Sequence, residues 1–144
     1  MKVTHIVFDV NTFGITQRSL NVLRDTIAEN IHNRIAVVEV PTNNLCCGYF
    51  VFDLERQKAT FTGDGFRRDK AGEGGAGYRS AKALFSIFRI NPIPWEPVNL
   101  EEIYALPEKE IRKLLLKVAR KIADNLCNED FCRPADKKPY YIQT

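Results

Sequence analysis

IAVVEVPTNNLCCGYFVFDLERQKATFT, residues 35 to 62, decides the fold. Three of its runs are dense in β-branched and aromatic residues, and turn residues separate them. Residues 35–40 read as a strand stopped by Pro41. Residues 48–54 (GYFVFDL) and 58–62 (KATFT) read as two more, and the short ERQ connection makes them a hairpin. Upstream, residues 2–10 alternate and end in IVFDV, which reads as a further strand with Asp9 near its end.

The helices frame these strands. Leu20, Leu23, Ile27 and Ile31 recur every three or four residues, which predicts a helix over 16–31 with Thr16 as its N-cap. Ala81, Leu84, Phe85 and Phe88 give a second stripe. Asn99 and Glu102 form a capping-box pair ahead of a short helix. Pro107 suits the start of the last helix, whose stripe is Ile111, Leu115, Val118, Ile122 and Leu126. NPIPWEP, with three prolines in seven residues, reads as a stiff extended connection anchored by Trp95. The order β-α-β-β-β-loop-α-α-α implies an α+β fold: a mostly antiparallel four-stranded sheet with helices packed on one face. One domain over residues 1–132 and a polar tail over 133–144 account for the chain.

The 144 residues, 44% apolar and 27% charged, suit one globular core. The net charge of +3 is too small to signal nucleic acid by itself. No run has the length of a membrane span, and MKVTHIVFDV lacks the pattern of a secretion signal, so a cytoplasmic location is expected. Four cysteines are present without paired C-x-x-C hooks, so zinc is not indicated. Free thiols are expected, with a Cys127–Cys132 clip across CNEDFC as the alternative.

The segment TFTGDGFRRDKAGEGGAGYRSAKALFSIF, residues 60 to 88, holds six of the eight glycines. Glycine reaches φ > 0 without steric cost, so successive backbone N–H groups can converge on an anion. A helix N-terminus behind such a loop adds free donors and the positive end of a dipole. The expected binding residues of this loop, taken as 63–80, are Phe66, Arg67, Arg68, Gly72, Gly74, Gly75, Gly77, Tyr78, Arg79, Ser80 and Lys82. The glycines and Ser80 would supply amides, the cations would hold charge, and Phe66 or Tyr78 would stack on a base. A long exposed connection with solvated charges is the bland alternative. The segment fits neither the Walker pattern nor the dinucleotide fingerprint.

Catalytic groups are sparse. His5 and Asp9 lie too far apart along a strand to form a dyad. Hard Mg²⁺ or Mn²⁺ would need several oxygen ligands, for which Asp9, Asp53, Asp64 and Asp69 are candidates, while Glu39 is a further strand acid. No catalytic residue or cofactor is assigned otherwise. The leading expectation is a non-catalytic protein that binds and sequesters a phosphate-bearing small molecule, a nucleotide or nucleotide second messenger. Such a short chain is expected to complete the pocket as a homo-oligomer. A metal-dependent nuclease or phosphohydrolase is the alternative, and a nucleic-acid-binding accessory protein using Arg67, Arg68, Arg79 and Lys82 is the third reading.

Overall fold

The computed structural model describes residues 1–43, 45–96, 100 and 103–131. The Asn99–Glu102 capping box, Cys132 and the 133–144 tail lie outside the described residues.

The chain is α+β, built on one mixed six-stranded sheet. Its centre is an antiparallel meander of β2 (Ile35–Pro41), β3 (Cys46–Asp53) and β4 (Lys58–Phe61). A parallel strand flanks each side: β1 (His5–Val7) beside β4, and β6 (Ile93–Pro94) beside β2. β5 (Phe66–Arg67) pairs with the start of β3. The sheet is therefore not the four-stranded, mostly antiparallel one that the sequence implied. The missed strands have two residues each, too short to show a period. β6 also contains a proline, which a sheet tolerates at its edge because the absent N–H faces away from the ladder. Trp95 continues that edge by donating its N–H to the Glu39 carbonyl at 2.9 Å.

Helices cover both faces, not one. Ile35, Val37, Cys47, Tyr49 and Val51 pack under α1 (Thr16–Glu29) and α2 (Gly72–Phe88). The alternate residues Ala36, Val38, Val40, Phe50 and Phe52 pack under α3 (Glu108–Asn125). A strand buried on both faces must be apolar at every position, which is what VVEV and YFVF show, Glu39 aside. Among the described residues, no helix is long and apolar enough to cross a membrane.

β4 and β5 are one strand interrupted by a bulge. Phe61 faces Phe50, but Phe66 faces Cys47. Five steps on one side match three on the other, so two extra residues are thrown out of the ladder. Gly63, Asp64 and Gly65 form this bulge, and all three are buried. Gly63 takes φ +90°, a conformation that side chains resist.

Candidate functional site

The glycine segment divides at residue 71. Its first half is the bulge, packed beneath the start of α1. Thr16 Oγ1 donates to the Gly65 carbonyl at 2.6 Å, and the Gly65 N–H donates to Ser19 Oγ at 3.1 Å. Thr16 therefore ties α1 to the bulge and does not act as the N-cap, a place taken by Ile15 without a capping side chain. Asp64 is 3% exposed. Its carboxylate accepts from the Gly14 N–H at 2.7 Å and from Thr42 Oγ1 at 2.8 Å. Burial and a hydrogen bond to Asp64 also push the Tyr104 hydroxyl above its ordinary range.

The second half is helix. α2 begins at Gly72, so Gly72, Gly74, Gly75 and Gly77 form its opening turns and do not make a concave loop. Two of them permit close packing. A methyl group on Gly75 would collide with the Lys70 backbone carbonyl, and one on Gly77 with Thr16 of α1. Gly72 differs: it is exposed, takes φ +63°, and has open space where a side chain would stand. Ala71 caps the helix with no side-chain bond. Asp69 accepts the Ala71 N–H at 3.2 Å, and the first intrahelical bond runs from Gly75 to Ala71 at 2.9 Å. The N–H groups of Gly72, Glu73 and Gly74 remain as uncapped donors among the described residues.

Two arginines of the segment lie at that end. Arg67 lies against Gly74 and forms a two-pronged pair with Asp69, at 3.0 and 2.6 Å. The bond holds Asp69 below the usual carboxylate range and raises Arg67 above its own. Arg79 donates to the Lys70 carbonyl at 2.9 Å, closing the 66–71 segment over the helix start. Arg68 reaches Glu96 at 3.0 Å. Arg79, Ser80 and Lys82 are exposed.

A buried polar cluster adjoins this end, and only part of it was foreseen. Glu39, 9% exposed, accepts from Tyr49 Oη at 2.9 Å and lies 3.5 Å from Lys82 Nζ. Lys82 also sits 4.9 Å over the Tyr78 ring, and Tyr78 lies close enough to Glu39 for its charge to act on the hydroxyl. Burial is the main force raising the Tyr49 and Tyr78 hydroxyls, and the Glu39 charge adds to it. Arg68 acts oppositely on Tyr78. So the fold brings Tyr78 and Lys82 to Glu39, with Arg68 near enough for its charge to act on Tyr78. The signal for Glu39 was in the sequence: a lone acid inside the apolar run IAVVEVP needs buried partners.

The stacking roles do not survive. Phe66 is wholly buried, edge-on to Tyr49 with ring centroids 5.1 Å apart, and Tyr78 is 8% exposed beneath Lys82. Neither offers a face to a base.

The four candidate metal acids occupy separate settings. Asp9 lies past the end of β1 and accepts the Asn11 N–H at 2.9 Å. Asp53, 1% exposed, closes the β3–β4 turn by accepting the Arg56 N–H at 3.1 Å. Asp64 is held in the bulge and Asp69 by Arg67. Among the described residues, no three His, Cys, Asp or Glu side chains gather as a metal site.

Cys47 is buried, and burial, with the Glu39 charge beside it, pushes its thiol well above the ordinary range. Cys46 is half-buried. The thiolate is the reactive form. Iodoacetamide should therefore modify Cys46 in the folded protein and Cys47 only after denaturation, as read by peptide mass spectrometry. Equal labelling of both in the native state would contradict the packing under α2.

Comparison with protein-family models, with curated proteins and with solved structures finds no match to this chain.

Proposed function

We propose that this protein binds, without turning it over, a phosphate-bearing small molecule of the nucleotide class at the N-terminal end of α2. The observation that carries the reading is an uncapped 17-residue helix whose first residue, Gly72, faces open space, with Arg67 against Gly74 and Arg79 bonded to the neighbouring Lys70 carbonyl. Three free N–H groups and the helix dipole favour an anion there. The Arg67–Asp69 and Arg68–Glu96 pairs are solvent-exposed and hence weak, so a phosphate displaces the carboxylates at little cost. Lys82, exposed further along the same helix beside the buried Glu39, supplies a polar contact for the rest of the ligand. The separated acids and engaged tyrosines leave no base poised for hydrolysis, which favours holding over turnover. A second copy of the chain completes the pocket, giving a homo-oligomer that sequesters its ligand.

Melting the protein against a panel of mono-, di- and cyclic nucleotides, with inorganic phosphate alongside, tests this. A ligand at a hundredfold its dissociation constant contributes about 2.7 kcal/mol. For a chain of this size that raises the midpoint by about 5–10 °C. The rise should vanish in Arg67→Glu/Arg79→Glu, and the nucleotide should be recovered intact by chromatography. A panel with no stabilising member, or a rise that survives the double reversal, rejects the reading.

A further inference from the structure

A second concentration of positive charge lies on α3. Lys113, Leu116, Lys117, Arg120, Lys121 and Asp124 line an open groove of about 460 Å³. Its four cations and one acid give it the whole chain's formal charge of +3, so the rest of the chain sums to neutrality. Lys113, Lys117 and Lys121 are four residues apart, which sets them about 6 Å apart along one line of the helix. Lys117 and Lys121 have no ion-pair partner among the described residues. Lys113 has only Glu110 at 3.5 Å, in an exposed pair. Arg120 uses Nε on the Val3 carbonyl at 3.1 Å, which fixes its direction and leaves its terminal nitrogens free to donate.

We infer that this row binds the phosphate backbone of double-stranded nucleic acid, independently of the α2 site. A linear array of cations on a rigid helix matches a linear array of phosphates. Two other anionic partners fit less well. A membrane surface calls for an apolar face beside the basic one. Here Ile111, Leu115, Val118 and Ile122 are already buried against the sheet. An acidic protein calls for apolar or aromatic anchors at the centre of the contact. The groove offers Leu116 alone. With no aromatic among its lining residues, it also lacks the stacking platform that single strands use. Recognition through phosphates alone carries no sequence preference.

The test measures binding of the full chain to a labelled random-sequence duplex by fluorescence anisotropy between 50 and 200 mM salt. Three or four neutralised phosphates give a slope of log K against log salt of about −3, a loss of roughly 50- to 100-fold over that range. Lys117→Glu/Lys121→Glu, both on the exposed side of α3, should weaken binding at least tenfold and flatten the slope. Its melting temperature should match that of the parent. The Arg67→Glu/Arg79→Glu protein should bind the duplex like the parent, which separates this site from the one on α2. No binding at 50 mM salt, a flat salt response, or retention of affinity in the α3 double variant overturns the inference. Equal competition by poly-glutamate or by anionic vesicles overturns it too.

Discussion

Asp64→Ala should lower stability by about 2–4 kcal/mol, seen as a midpoint about 10 °C lower in thermal melts. Asp64 is the one charged residue of the bulge formed by Gly63, Asp64 and Gly65, and it bonds two separate pieces of chain. The Gly14 N–H belongs to the turn before α1 and Thr42 to the end of β2, while the Asp64 charge also acts on Tyr104 of the 3₁₀ turn Ile103–Ala105. Removing the carboxylate takes away charge-assisted bonds that are each individually strong. It also leaves Thr42, fully buried, with a hydroxyl facing an apolar void. Gly14 reaches water, which keeps the cost below the sum of the two lost bonds. Asp64→Asn retains one acceptor oxygen and should fall between. Asp69→Ala is the control: its carboxylate is in solvent with Arg67, and its loss should move the midpoint little. A melt of Asp64→Ala within 2 °C of the parent would mean that the bulge is not held by this residue.

Asp64 shows where pattern reading stops. Its neighbours in sequence, glycines and arginines, suggested a solvated loop bringing charge to a ligand. Nothing in TGDGF announces that the strand resumes two residues out of register, because the partner of Phe66 lies nineteen positions upstream at Cys47. Longer elements were legible for a physical reason. The stripe from Ile111 to Ile122 repeats over about three turns, and α3 buries those positions. β2, β3 and β4 emerged within two residues of their boundaries because β-branched and aromatic runs end at Pro41 and in the ERQ turn. The same runs also carried an unused signal. Strands apolar at every position are covered on both sides, so FVF and AVV already argued for helices on both faces. Of the candidate site, composition singled out Tyr78 and Lys82, which meet at Glu39. It misplaced the glycines, since low helix propensity argues against four of them opening a helix.

That propensity cost is offset by contact, and Gly75→Ala shows how. In an exposed helix this exchange stabilises, by roughly 0.5–1 kcal/mol. Here the expected sign is opposite: a loss of about 1–3 kcal/mol, or a midpoint lower by about 5–10 °C. The added methyl group has no room, because the obstacle is the Lys70 backbone and not a side chain that can swing away. Lys70 is itself at φ +63° and its carbonyl is bonded to Arg79, so it cannot retreat without opening that bond. Gly72→Ala, by comparison, meets no atom and carries only the strain of a positive φ, about 1–2 kcal/mol. The pair separates architecture from ligand binding. Gly75→Ala should lose nucleotide stabilisation and fold stability together, since displacing residues 67–70 moves Arg67 and Arg68 with them. Gly72→Ala should stay folded yet place a methyl group where an anion would approach the helix end, and its nucleotide-induced shift should shrink. A Gly75→Ala protein more stable than the parent would show that the 66–71 segment does not clasp α2, and the enclosure proposed for the phosphate would go with it.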